Sequence, residues 1–325
     1  MTTTWRSSAG IGLVLIWGLL LAGTGQAAYP DKPIKLIIPW AAGGDTDALK
    51  RVAANAMEKP LGKPVVVVNI TGASGTTGLR EFKKAAPDGY TIYSVHDSIH
   101  TTYYVGVSDL NYGDFEPICL LTSTPSVIAT HARSKFNTMK EVLEEARRRP
   151  GTITFGATLG STSHFFPAMV EHDVKAKLWK YVSYEGTAPR MTALIGGHIE
   201  LAETNIPGGK EQLKAGKMKL LAIATEKRHP ALPDVPTLKE LGINVTYAVN
   251  RGLIAPKGTP EEALQKLEAA CGTVAKDRGF AEAMEKMGSD VVFLNRKAYA
   301  EFLKKNDVLN AEVAKALGFR RKGSR

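Results

Sequence analysis

IIPWAAGGDTDALKRVAANAM, residues 37–57, decides the fold class. An apolar run ends in Pro39 and Trp40, passes through Gly43 and Gly44, and enters a stretch with helical periodicity. A strand is thus handed by a short glycine loop into the start of a helix, the unit from which α/β sheets are built. Gly43 and Gly44 allow a backbone to approach a ligand closely, and Asp45, Thr46 and Asp47 are residue types that cap a helix.

Outward from this stretch the same alternation repeats. PIKLIIPW, PVVVVN, TIYSV, ICLLTS, SVIATH, TITFGA, WKYVSY, IELAET, KLLAIAT and GLIAP are short and rich in branched residues, as buried strands are. Helical periods lie between many of them, among them LREFKKAA, TMKEVLEEARRR and PEEALQKLEAACGTVAKD. The pattern predicts mostly parallel sheets covered by helices. In such sheets ligands gather beyond the carboxyl ends of the strands.

Three further loops share the chemistry of the first. NITGASGTTGLREF presents Gly72, Ala73, Ser74 and Gly75; FGATLGSTSHFF presents Thr158, Ser161, Thr162 and His164; YEGTAPRMTAL places Thr187 before a helix carrying Pro189. Each one alone reads as an ordinary glycine turn. One helix N-terminus favours an anion by only about 0.3–1 kcal/mol, whereas a micromolar ligand needs about 8 kcal/mol. Several of these loops must therefore converge on one small anion if they form a site at all.

The 325 residues suffice for two domains. Residues 1–28 read as a secretory signal peptide: Arg6 precedes an apolar run from Ile11 to Leu21, and the small residues Gly25 and Ala27 follow. No later segment has the length of apolar residues a membrane helix needs, so the mature chain is expected in the periplasm. Of the two cysteines, Cys119 falls in a strand-like run and Cys271 in a helix-like run. An oxidising compartment permits a bridge, but the expectation is two buried thiols. The net charge of +10 resides in the terminal FRRKGSR and in mixed-sign helical faces such as KEVLEEARRR. It reads as a solvated surface, with no nucleic-acid partner implied.

Taken in order, YPDKPIKLIIPWAAGGDTD, GKPVVVVNITGASGTTG, APDGYTI, DFEPI, GSTSH, YEGTAPRMTALIGGHIEL, KAGKMKLLAIAT, RHPALPDVPTLKELG and GLIAPKGTP resemble the substrate-binding proteins of tripartite tricarboxylate transporters, the Bug or TctC family. The resemblance runs from about Tyr29 to Phe319. It implies a periplasmic-binding-protein-like Venus flytrap of two α/β domains joined by crossing strands, SVIATH and RGLIAP. The first domain would comprise 29–129 and 252–325, the second 130–251. It further implies a small organic carboxylate as ligand, a di- or tricarboxylate by preference, gripped by backbone N–H groups, hydroxyls and waters without a buried cation. The partners would be separate integral membrane subunits; the chain would act as a monomer, with no cofactor and no metal.

Carried onto this chain, the first clamp is Pro39 through Asp47 with Ala73, Ser74 and Gly75. The second is Thr158, Ser161 and Thr162 with Tyr184, Gly186 and Thr187. The chain departs from the family pattern at Trp40, which either lines the cleft or packs beneath its loop, and at Thr158–Leu159. It departs again at His96, Asp97 and Ser98, which either read the far end of a ligand or pair with one another, and at Glu203 and Thr204. Arg251, close to the expected hinge, either pairs a second ligand carboxylate or a protein acid. Arg190 is expected to be solvated.

Two other functions are weighed. His164 near Ser161 and Ser163, and His96 beside Asp97, evoke a Ser-His-Asp hydrolase. However, GASGT around Ser74 lacks the G-x-S-x-G turn, and the chain has no HExxH, Walker or Cys-x-x-Cys pattern. A ligand-sensing protein for an aromatic or amino-acid carboxylate, acting on a signalling receptor, would share the same cleft.

Overall fold

The computed structural model describes residues 1–3, 29–206 and 212–319. Beyond its first three residues, the leader read at 1–28 lies outside the described residues, as does the end of the basic tail, 320–325. Among the described residues eleven strands form two sheets. The first holds β1 (Ile34–Ile38), β2 (Val65–Asn69), β3 (Thr91–His96), β4 (Phe115–Pro125), β10 (Ala248–Pro256) and β11 (Asp290–Leu294), in the order β11-β4-β10-β3-β1-β2. The second holds β5 (Val127–His131), β6 (Ile153–Ala157), β7 (Trp179–Ser183), β8 (Leu201–Thr204) and β9 (Met218–Ile223), in the order β7-β6-β8-β5-β9.

The sheets are mixed, which corrects the expectation of mostly parallel ones. β2, β1 and β3 run parallel, as do β7, β6 and β8. β10 is antiparallel to both β3 and β4, β11 to β4, and β5 to both β8 and β9. The antiparallel pairings arise where the chain passes between sheets. β4 ends at Pro125 and β5 begins at Val127 in the other sheet, and the return runs through Tyr247 into β10. The two passages are tied together by a hydrogen bond from Ser126 N to the Tyr247 carbonyl, 3.1 Å. Both changes of sheet fall a few residues before 129 and 251.

Strand alternation explains how the first lobe is filled. Ile34, Leu36 and Ile38 of β1 share a core with Leu49, Ala53 and Met57 of α1 (Asp45–Leu61) and with Leu264 and Leu267 of α7 (Glu261–Lys276). Ile37 turns to the opposite face and shares a core with Phe82 of α2 (Thr76–Lys83), Ile99 of α3 (Ser98–Tyr104), and Tyr299 and Leu303 of α9 (Arg296–Ala316). α8 (Arg278–Lys286) adds Phe280 and Met284 to the first face. Each such side chain contributes about 1.5–3 kcal/mol by leaving water.

Within this core Cys119 of β4 and Cys271 of α7 form a disulfide, with Cα atoms 6.6 Å apart, so the expectation of two thiols is corrected. The sequence places them 152 residues apart, and only the packing of α7 on β4 makes them neighbours.

The second lobe places α4 (Met139–Arg148), α5 (Thr162–Asp173) and α6 (Thr187–Ile195) around its sheet. Met139 and Val142 pack with Phe166, Phe155 and Trp179, while Met191 and Leu194 pack with Ala129 and Ala202. α4 begins as its sequence dictates: the Thr138 hydroxyl accepts from Glu141 N, and the Glu141 carboxylate accepts from Thr138 N.

Candidate functional site

The loops singled out in the sequence meet between the lobes. Trp40, Gly44, Asp45, Thr46 and His96 from the first lobe, and Thr158, Ser161, Thr162, Gly186 and Thr187 from the second, line one cavity together with Arg251. Its volume is about 30 Å³, room for one or two waters. A solute the size of an organic acid enters only when side chains or lobes move apart.

Three helix N-termini face this space. α1 starts after Gly44, α5 after Ser161 and α6 after Gly186, and none of the three has a side-chain cap. Uncapped N-termini leave backbone donors and the positive end of the helix dipole available to an anion. The expectation that Asp45 to Asp47 cap α1 is therefore corrected. Asp47 turns back into its own lobe, accepting from Gly43 N at 2.9 Å, from Asn69 Nδ2 at 2.8 Å and from Arg51.

Asp45 does the opposite and reaches across the cleft. Its carboxylate accepts from the Thr187 hydroxyl and from Asn205 Nδ2, both at 2.6 Å and both in the second lobe, and pairs with the Arg251 guanidinium. Burial alone would raise its pKa. Arg251, the two hydrogen bonds and the nearby Arg190 outweigh this and hold the carboxyl well below the usual range.

Arg251 is fully buried. Beyond Asp45, it donates to Thr46 Oγ1 (3.0 Å), Thr124 Oγ1 (2.9 Å) and the Val249 carbonyl (3.2 Å). A protein acid thus meets it, the pairing left open in the sequence. Behind it Lys50 Nζ donates to the Gly252 carbonyl at 3.1 Å; burial, then Arg251, lowers the lysine pKa to about 7.

The expectation for Arg190 fails: it is 2% exposed. It pairs with Glu203 at 2.7 Å, donates through Nε to the Glu203 carbonyl at 2.8 Å and reaches Ser163 Oγ at 3.1 Å. Both Arg190 and Glu203 line the cavity. Burial pushes the Glu203 carboxyl up, against the pull of Arg190. Two buried arginines thus sit in the wall, each paired with a protein acid.

The remaining positions spread around this centre. Trp40 and His96 stack with ring centroids 4.8 Å apart, so Trp40 both lines the cleft and packs. Burial, followed by Arg251, lowers the His96 pKa to about 3 and keeps the ring neutral. Pro39, Ser74 and Gly75 line a separate pocket of about 10 Å³ within the first lobe. Ala73 and Ser74 hold the left-handed conformation, φ 47° and 57°, which non-glycine residues adopt at a cost. That bend aims Ser74 at the other lobe: its N–H donates to Glu185 Oε2 at 3.2 Å and its hydroxyl to the Leu159 carbonyl at 2.6 Å.

Asp97 is not at the cavity; it accepts from Asn250 N at 2.7 Å and from Asn306 Nδ2 at 2.8 Å, bracing α9 against β10. Tyr184 contributes its carbonyl, which accepts from Thr158 Oγ1 at 2.6 Å. Thr204 is buried and donates to the Asn205 carbonyl. No hydrolytic triad assembles among these groups. His164 Nδ1 accepts from Gly160 N, the Ser161 hydroxyl donates to the Thr158 carbonyl, and Ser98 N donates to His96 Nδ1.

The profile of the TctC "Tripartite tricarboxylate transporter family receptor" matches residues 49–319. A UPF0065 protein in the gbd 5′ region of Cupriavidus necator is 34% identical over 281 residues, 84% of each chain. The structure of the periplasmic binding protein BugD superposes with a TM-score of 0.84 at 33% identity, covering 90% of this chain and 99% of BugD. Rpa4515 of R. palustris, solved with adipate, gives a TM-score of 0.85 at 26% identity, covering 90% of this chain and 99% of that one. The extent of these matches, and two mixed-sheet lobes facing one another across a polar cleft, place the chain in the Bug or TctC family of periplasmic solute-binding proteins.

Proposed function

We propose that the chain captures a small organic carboxylate between its lobes in the periplasm and delivers it to the membrane subunits of a tripartite tricarboxylate transporter. The observation that carries this reading is the convergence of three uncapped helix N-termini on one cavity walled by Arg251 and Arg190. Backbone donors and guanidinium groups together match a carboxylate in geometry and charge. On this reading Gly44, Thr46, Ser161, Thr162, Gly186 and Thr187 supply the grip, and Arg251 the counter-charge.

The adipate held by the R. palustris relative favours a two-ended solute, with one carboxylate gripped at the helix starts and a second polar group further along the cleft. The Cys119–Cys271 bridge supports an oxidising compartment, as an exported chain requires. Among the described residues no helix is long and apolar enough to cross a membrane.

A thermal-shift screen of organic acids, sugars and polyols tests the reading. Acids should raise the midpoint in a concentration-dependent way, because a solute that binds only the folded form stabilises it by mass action. A response confined to sugars or polyols would end the proposal.

A further inference from the structure

The cavity wall carries its own charge balance. Arg190 and Arg251 oppose Asp45 and Glu203, and all four are buried. The pairs are linked: Arg190 bonds Glu203 and, through Nη2, Thr187 Oγ1, and Thr187 in turn bonds Asp45, which pairs with Arg251. His96, the other titratable group in the wall among the described residues, is neutral. A solute that is only an anion therefore meets the helix starts but, among the described residues, no side-chain charge in this wall that is not already paired.

The geometry sharpens this. The donors suited to a ligand carboxylate, Thr187 Oγ1, Asn205 Nδ2 and the Arg251 guanidinium, are already directed at Asp45. An entering carboxylate that takes them must part Asp45 from Arg251. Removing one partner of a buried ion pair is strongly destabilising, because the stranded charge stays buried. A solute bearing both signs can insert into the pair and give each member a new counter-charge.

Resting on the carboxylate reading above, we propose that the solute is an amino-carboxylate, its carboxylate held by Arg251 and the helix N-termini and its ammonium by Asp45, with Asp45 deciding the preference. This replaces the di- or tricarboxylate expected from the sequence with a solute of net charge near zero at one end of the cleft.

Calorimetry on the full mature chain with matched pairs tests it. Succinate, glutarate and adipate are each compared with the ω-amino acid in which an amine replaces one carboxylate, and malate with aspartate. The wild type should bind the amino member of at least one pair about tenfold or more tightly than its partner. Asp45→Asn should abolish that preference and strengthen binding of the dianion. Tighter binding of the dianion in every pair by the wild type would overturn the proposal and leave the carboxylate reading standing. Equal preference in wild type and Asp45→Asn would overturn the role of Asp45. Failure of every acid, amino or not, would sink both readings. Should Asp45→Asn fail to fold, the wild-type series decides alone: tighter binding of the amino member supports the proposal, and tighter binding of the dianion in every pair overturns it.

Discussion

The seam between the lobes and the core beneath the first sheet are built from opposite materials. At the seam the lobes meet through polar contacts: Thr187 and Asn205 on Asp45, and Ser74 on the Leu159 carbonyl and Glu185. The core is closed by a disulfide and by Ile34, Leu36, Met57 and Leu264. A hydrogen bond contributes only about 0.5–1.5 kcal/mol net when neutral and about 1.5–3 kcal/mol when it meets a charged group, because water offers the same bond. Seam contacts can thus be exchanged for a solute, whereas core contacts cannot be exchanged for anything without unfolding. The difference separates what moves from what holds the loops in position.

Arg251 belongs to both regions, its backbone in β10 and its guanidinium at the seam, and replacing it should have the largest effect. Arg251→Met leaves Asp45 buried without its counter-charge and should cost about 3–5 kcal/mol in denaturant unfolding. The double variant Asp45→Asn/Arg251→Met should recover most of that loss. A single-variant cost below about 1 kcal/mol would mean that Asp45 swings out to water and is not confined at the seam.

Removing the disulfide probes the core alone. Cys119→Ser/Cys271→Ser should lose about 2–4 kcal/mol, since the bridge closes a long loop in the unfolded chain. Solute affinity should stay within about twofold, because distant sites act almost independently. A tenfold loss of affinity would show that the core sets cleft geometry more directly than the contrast allows. Ser74→Ala should have the smallest effect. It removes the hydroxyl that bonds the Leu159 carbonyl across the seam, so denaturant unfolding should show a loss of about 0.5–1.5 kcal/mol.

Much of this contrast was legible in the sequence, and the reasons for the gaps are specific. The glycine loops announced themselves because a strand, small residues and a helix follow one another locally at residues 37–57, 155–166 and 184–194. Asp45 and Asp47 could not be told apart: they share one cap-like signature, yet two residues of helix rotate them by more than half a turn, to different lobes. Arg190 read as solvated because one arginine on a short helix does not say which face is buried. Its partner Glu203 stood out only as a departure from the family pattern. The mixed sheets were missed because strand direction is set by where the chain crosses between lobes. SIHTTYY, branched and aromatic, did not read as the helix α3 that it forms.

Trp40 has a practical consequence. Of the two tryptophans among the described residues, Trp179 is sealed in the second lobe beside Phe155, while Trp40 stands in the cavity wall against His96. The molecule therefore carries a natural fluorophore at the spot where a guest would arrive. Its emission would track occupancy with no added dye.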